Sequence, residues 1–408
     1  MIRDRNIICI SGIEWDFNWQ NSQEMCSRLA AAGNRVLFVE NMGIRSPGLK
    51  DAGRVWKRLL NWSQALWTRG VRRVGKNLYV CAPLVLPPFG ASREVNARVL
   101  LPRVVRAARS LGMRDALILT YLPTDTALDL VRQLRTPRSV VVYYRIDNLA
   151  ALTPHAEELR QSERAMVETS DLVLANSAEL ARLPSEISDN VHVFPPSVNL
   201  DAFTPEGNGD GMNGDAHLDP WTRESVERVR RLSRPRIGYI GAISNHINGE
   251  MVEESVRRRP EWSWVFVGPG EAPLKGLGDL PNVHFIGQQP HRSLANFIRE
   301  FDVCIIPYRL NSYTATVVPT KLNEYLAVGK PVVSTNLPAV RHFDEEHGVL
   351  TISDEAPENF LRAVESALAQ SGEQEAARRR EAAAHGDWDK RLEEVSALFL
   401  AAFRAKGA

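Results

Sequence analysis

Residues 306–335 read IPYRLNSYTATVVPTKLNEYLAVGKPVVST, and their reading decides the architecture expected of the whole chain. With the apolar residues 303–307 leading in, the stretch places a short strand, a polar loop, a compact helix opened by Pro319 and a second strand over 331–334 in immediate succession. That is a βαβ unit with its loop at the carboxyl end of a strand. Pro319 suits the first helical position because its missing N–H would be unpaired there anyway, and Gly329 before Lys330 and Pro331 makes a stop. Lys321 and Glu324, three apart, share one helix face, while Leu322 and Leu326, four apart, form the buried stripe. Free N–H groups and the dipole at a helix's amino end attract an anion, and in an open parallel sheet that end lies over the ligand crevice. Phosphate is the expected guest. The plain alternative is a surface helix carrying a Lys321 to Glu324 ion pair.

A chain of 408 residues exceeds the usual size of one core, so two domains of about 150–200 residues are expected. Lys plus Arg is 50 against 49 for Asp plus Glu, which gives no global charge in favour of nucleic acid or an acidic partner. Cys9, Cys26, Cys81 and Cys304 lack metal-ligand spacing and are expected to be reduced core residues of a cytosolic protein. The opening MIRDRNIICIS has no long apolar run, and nowhere do 18 apolar residues follow one another. Neither a signal peptide nor a membrane span is expected.

The first half starts in βαβ rhythm: a strand over 6–11, the loop GIEWDFNWQN, a helix over 22–32 ending at Gly33, and a strand over 35–40. Gly12 lets the backbone approach a ligand, and the loop behind it carries Glu14, Asp16 and two tryptophans. Acids beside aromatics at a strand's carboxyl end are costly unless partnered, which makes Glu14 and Asp16 site candidates. A tryptophan-anchored cap on the first strand is the other reading. Further strands are expected over 78–82, 116–120, 139–145, 172–176 and 191–194, with helices between several of them. Asp147 falls just past one strand end, and an Arg145 to Asp147 clamp is the structural alternative. Residues 50–76 hold eight cations against the single Asp51, interleaved with Trp56, Trp62 and Trp67. Their spacing predicts a basic amphipathic helix of the composition that lies in a lipid interface, or else an ordinary helix with solvated cations. No nucleic-acid motif accompanies it.

The run PEGNGDGMNGDAHLDP is Gly-rich and polar, so the linker is expected over 204–234. It divides a first Rossmann-like domain, 1–203, from a second, 235–385, leaving 386–408 as a last helix expected to return to the first. Strands are expected over 236–241, 264–268 and 283–287, closed in series by Gly241, Gly268 and Gly287, which lets a nucleotide pass close to the backbone.

The motif PTKLNEYLAVGKPVVS (319–334) resembles the nucleotide-sugar motif of GT-B-fold glycosyltransferases, particularly the bacterial group 1, family 4-like members that include retaining enzymes. RIGYIGAIS resembles the first strand of that family's nucleotide domain, and Trp15, Asp16, Trp19, Gln20 and Gln23 resemble a bacterial subgroup. The resemblance implies an α/β protein of GT-B architecture, two Rossmann-like domains facing across a cleft, with Glu324 on the nucleotide ribose. It puts Gln288 and Gln289 at the base-binding loop, and Thr316 where many members carry a further Glu. The expected donor contacts are Gly12, Gly241, Arg309, Pro319, Thr320, Lys321 and Glu324, with Lys321, Arg309 and the amides around Thr320 on the diphosphate. The expected acceptor contacts are Glu14, Asp16 and Asp147. Lys321 and Asp16 are the catalytic candidates, Asp16 as the base of an inverting reaction. In a retaining reaction the leaving phosphate itself takes the acceptor's proton.

The nucleotide-diphosphate sugar is the co-substrate, and no cofactor or metal is expected, since no D-x-D cluster accompanies these residues. Expected partners are the nucleotide sugar, a saccharide or lipid-linked acceptor, and a membrane touched peripherally through 50–76. The expected location is the cytoplasm, at the inner face of the plasma membrane. A catalytically inactive sugar-binding scaffold and a nucleotide-sugar epimerase are the alternative functions.

Overall fold

The structure is a computed structural model that describes residues 1–16, 19–40, 42, 70–83, 85–86, 92–203 and 218–408. It divides into two compact units, Met1–Pro195 with Leu392–Ala408, and Pro196–Arg391.

The first unit holds an eight-stranded sheet: β1 (Asn6–Ile10), β2 (Arg35–Val39), β3 (Val71–Gly75), β4 (Leu78–Cys81), β5 (Leu117–Thr120), β6 (Val140–Arg145), β7 (Leu172–Ala175) and β8 (Val191–Val193). Their spatial order is β3-β4-β2-β1-β5-β6-β7-β8. All neighbours run parallel except β3 on β4. The apolar runs of β1, β2, β5, β6 and β7 form strands because helices such as Asn21–Ala31 and Asp125–Leu134 cover the sheet, so nearly every one of their side chains is buried.

β3 corrects the expectation for residues 50–76. Residues 50–69 lie outside the described residues, and 71–75 form an edge strand rather than part of a basic helix. Two valines bracket Arg72 and Arg73 there, and Asn77, which tolerates a left-handed backbone, takes φ 62° in the turn to β4.

The second unit holds β9 (Arg236–Ile240), β10 (Ser263–Val267), β11 (Val283–Gly287), β12 (Val303–Ile306), β13 (Val332–Thr335) and β14 (Thr351–Ser353). Their order is β11-β10-β9-β12-β13-β14, all parallel. Numbered from its first strand this is 3-2-1-4-5-6, the doubly wound order, and the parallel strands of the first unit begin the same way. In such sheets the ligand crevice lies beyond the carboxyl ends of the first and fourth strands, where the winding reverses. Those ends are Ile10 and Thr120 in one unit, Ile240 and Ile306 in the other.

Three expected boundaries move. The first unit ends at Pro195, because Phe203, on the short helix Leu200–Phe203, is buried in the core of the second. Residues 204–217 of the expected linker lie outside the described residues, but Pro220–Arg230 is a helix. Pro220 opens it, Asp219 caps it by accepting the Thr222 N–H, and Val226 and Val229 enter the same core. From Leu392 onward the helix Trp388–Ala405 belongs to the first unit, where the Arg5 guanidinium lies 4.7 Å from the Phe403 ring centroid and Lys406 pairs with Asp171 at 2.7 Å.

All four cysteines are buried and unbridged. Burial pushes the Cys81 thiol up to about 12. Among the described residues no helix is long and apolar enough to cross a membrane.

Gly268 and Gly241 are fastened edge to edge beyond β10 and β9. A Cβ on Gly268, whose φ is +152°, would stand 2.0 Å from the Gly241 carbonyl oxygen, whereas one on Gly287 would meet nothing within 4 Å. Gly287→Ala is therefore expected to cost about 1 kcal/mol from its backbone angle alone, and Gly268→Ala more than ~3 kcal/mol because backbone must move. Urea unfolding of the two variants checks the difference.

Candidate functional site

The second unit's winding reversal is built by three segments. The loop leaving β9 is zipped to the loop leaving β12: Asn248 donates its N–H to Pro307 O (2.8 Å) and Arg309 donates its own to His246 O (2.7 Å). Between them Ile247 and Tyr308 form an antiparallel bridge. The third segment is the helix Lys321–Ala327, fixed to β9 by the buried Tyr325, whose hydroxyl oxygen accepts the Ile240 N–H at 2.8 Å. Burial holds the Tyr325 phenol well above its ordinary range, so it stays neutral.

Lys321 lies where the segments converge. It is 8% exposed, and its Nζ is 2.5 Å from the Tyr308 hydroxyl, 4.8 Å from the Tyr239 ring centroid and 4.9 Å from that of Tyr308. A Cβ on Gly241, whose φ is +113°, would meet Lys321 Cε at 3.1 Å, so the ammonium lies against the bare backbone at the end of β9. Among the described residues no carboxylate is within ion-pair range of it. The expected alternative, a Lys321 to Glu324 pair, does not form: Glu324 Oε1 is 3.0 Å from His291 Nε2 instead. An ammonium taken out of water is costly without an anion, and two aromatic faces return about 0.5–2 kcal/mol each. The arrangement can receive an anion.

The other donor candidates surround this point. Arg309 follows Tyr308 with its side chain 42% exposed and Glu250 3.9 Å away. Thr320 precedes the helix without making a side-chain cap, and Pro319 stands two residues before the first helical position that it was expected to occupy, its carbonyl accepting the Leu322 N–H. Thr316 spends its hydroxyl on the Tyr313 carbonyl at 2.7 Å. Gln289 is buried beyond β11 with neither Oε1 nor Nε2 bonded to protein.

In the first unit Gly12 follows β1, and the loop behind it is held by its tryptophans. Trp15 is buried edge-on against Phe38 (5.0 Å) and Trp19, and its N–H is accepted by Glu40 Oε2 at 2.7 Å. Gln20 and Gln23 form the capping box of the Asn21–Ala31 helix. Asp16 is exposed and pairs with Arg72 of β3 at 2.5 Å, and the Glu14 carbonyl accepts from Gln23. Arg145 does not clamp Asp147. It grips Glu163 with two bonds of 2.8 and 3.1 Å and donates to Leu180 O, while Asp147 accepts the Asn148 N–H. Among the described residues no three His, Cys, Asp or Glu side chains are grouped to hold a metal ion.

Residues 234–370, which contain all the segments around Lys321, match the model of the family described as Glycosyl transferases group 1. Over these residues, about a third of the chain, the protein is similar to group 1 glycosyltransferases. A curated relative, a candidate teichuronic acid biosynthesis glycosyltransferase named TuaH from Bacillus subtilis, is 32% identical over 142 residues, 34% of this chain. The match spans only 36% of TuaH's own length. In fold the chain matches GT-B glycosyltransferase structures. Sucrose-phosphate synthase from Thermosynechococcus elongatus gives a TM-score of 0.70 at 17% identity over 98% of this chain and all of its own. Anabaena HepE in complex with UDP-glucose gives 0.67 at 12% over 97% and 100%. WaaG, a glycosyltransferase involved in lipopolysaccharide biosynthesis, gives 0.64 at 15% over 96% and 99%.

Around Lys321, sequence reasoning missed Tyr239, Tyr308 and His291, whose partners are remote in the chain. In the first unit it missed Glu40, although an acid closing the apolar run RVLFV was a usable signal. Glu40 is 8% exposed and its carboxyl is raised by burial, with the Trp15 N–H and the Arg72 charge pulling it back. The folded chain thus binds this proton more tightly than the unfolded one, so its contribution to stability falls as pH rises from the ordinary carboxyl range through the raised value. Glu40→Gln, which keeps an acceptor for Trp15, is expected to flatten that part of a stability profile measured by urea unfolding across mildly acidic pH.

Proposed function

We propose that the chain is a glycosyltransferase that moves a sugar from a nucleotide-diphosphate donor, held by the second unit, to a saccharide or lipid-linked saccharide. The observation that carries this reading is the buried Lys321 ammonium at the winding reversal of the part that matches group 1 glycosyltransferases, gripped by two tyrosines and, among the described residues, out of ion-pair range of any carboxylate. The example of HepE, in complex with UDP-glucose, supports a nucleotide-sugar donor. That of TuaH supports envelope or exopolysaccharide assembly as the setting.

In this reading Glu324 receives ribose hydroxyls, while Lys321, Arg309, Pro319, Thr320 and the bare edge at Gly241 receive the diphosphate. Positive charge at Lys321 stabilises the phosphate as it departs, and acts most strongly because the site is partly dry. The protein supplies position and charge without a covalent nucleophile or a metal. With retention the departing phosphate takes the acceptor's proton. With inversion Asp16 is the base and must first leave Arg72. Glu14, Asp16 and Asp147 belong to the first unit and serve the acceptor, while Gly12, just beyond β1, serves the donor. The exposed Arg72 and Arg73 on the edge strand support a peripheral contact with anionic lipid at the cytoplasmic face.

Screening nucleotide sugars by thermal shift identifies the donor, and the anomeric configuration of the product decides between retention and inversion. Lys321→Ala is expected to lower turnover about 10²–10³-fold while leaving the chain folded. Near-normal turnover would remove Lys321 from the chemistry. Donor-only conversion without acceptor would identify an epimerase, and no conversion by the wild type an inactive scaffold.

A further inference from the structure

We propose that His291 is the positioning residue for Glu324, and that their bond sets the preference of the site for ribonucleotides over deoxyribonucleotides. The inference rests on the reading of Glu324 as the ribose carboxylate. It adds a residue which that reading does not contain.

Glu324 has to meet two demands. Its side chain is 13% exposed, so the carboxylate has lost most of its water and needs donors. A diol donor also needs it in one orientation, because two vicinal hydroxyls can only be received by acceptors aimed at them. Lys321, three residues earlier, meets neither demand, since its ammonium is committed to Tyr308. The bond from His291 Nε2 to Oε1, 3.0 Å long, meets both. It occupies one oxygen with a directed donor and leaves Oε2, together with the second lone pair of Oε1, to accept.

The imidazole is itself held. His291 opens a turn of helix, His291–Ser293, pinned where Ser293 donates both its N–H (2.9 Å) and its hydroxyl (2.7 Å) to Pro290 O. The buried Phe203 ring stands edge-on to the imidazole, with the two ring centroids 5.7 Å apart. The bond thus spans 33 residues of sequence between two fixed elements, the turn after β11 and the Lys321–Ala327 helix. An exposed ion pair between flexible side chains would give no such orientation.

A site that hydrogen-bonds a hydroxyl rejects the analogue lacking it, because the buried acceptor is left unpaired. If His291 aims the carboxylate, freeing the carboxylate costs affinity for the ribonucleotide and costs the deoxy analogue little. The ratio of the two affinities then falls. A role confined to folding would weaken both alike and leave the ratio untouched.

The experiment titrates the full chain calorimetrically with UDP, GDP, ADP and CDP, each beside its 2′-deoxy and 3′-deoxy counterparts. The wild type is expected to bind at least one ribonucleotide about tenfold or more tighter than a deoxy counterpart. Glu324→Ala should bring that ratio close to one. His291→Ala and His291→Phe, the latter keeping a ring beside Phe203 but no donor, should reduce it to about threefold or less. His291→Gln, which restores an N–H at similar reach, should recover most of it. Should Glu324→Ala flatten the ratio while both donor-less variants keep the wild-type value, His291 does not position the carboxylate and the inference is overturned. Should no nucleotide bind, or Glu324→Ala keep the full ratio, the reading of Glu324 fails first. His291→Phe, with its ring retained, supports the comparison if the alanine variant does not fold.

Discussion

A lysine side chain held out of water, with no carboxylate among the described residues in ion-pair range, is the constraint around which the second unit is arranged. Full burial of an ammonium costs several kcal/mol even after relaxation. The protein offsets part of that with two aromatic faces and one hydroxyl, all provided by residues that end or follow strands. Tyr239 is the penultimate residue of β9, Tyr308 follows β12, and Gly241 gives the side chain room. The short helix cannot drift from this position, because Tyr325 bonds to the last residue of β9 and Leu322 and Leu326 are buried in the same core. Fold and site therefore depend on the same few contacts.

The two units repeat one winding order but treat charge in opposite ways at its reversal. In the second, a cation is kept with neutral partners. In the first, the acids are already answered: Glu40 by the Trp15 N–H, Asp16 by Arg72. A chain that treats the two ends alike in sequence, with an apolar strand followed by glycine or a polar loop, has thus produced one surface that wants a negative group and one whose negative groups are satisfied.

Much of this was legible without coordinates because it is local. The apolar run, the polar loop, the helix and the next apolar run of 303–335 follow one another within a few residues, so a βαβ unit was readable from spacing alone. So was the series Gly241, Gly268 and Gly287, each at the end of its strand. What escaped reading depends on distance in the chain. His291 reaches Glu324 across 33 residues and Tyr325 reaches Ile240 across 85, and no periodicity announces either. Strand β3 escaped for another reason: its arginines continued a basic run, and pairing with β4 rather than intrinsic pattern makes it a strand. β14, three residues long, is too short to carry an alternation. Pro319 was misplaced by two residues because a proline marks the neighbourhood of a helix start more firmly than its first turn.

The first unit is made from two separated pieces of chain, Met1–Pro195 and Leu392–Ala408. Its amino-terminal strands are synthesised long before the helix that carries Phe403 to Arg5 and Lys406 to Asp171. During translation the intervening 196 residues of Pro196–Arg391 have every opportunity to collapse first. The unit whose strands come first in the sequence is thus the later of the two to be completed, because the stretch from Leu392 onward that packs on it is made last.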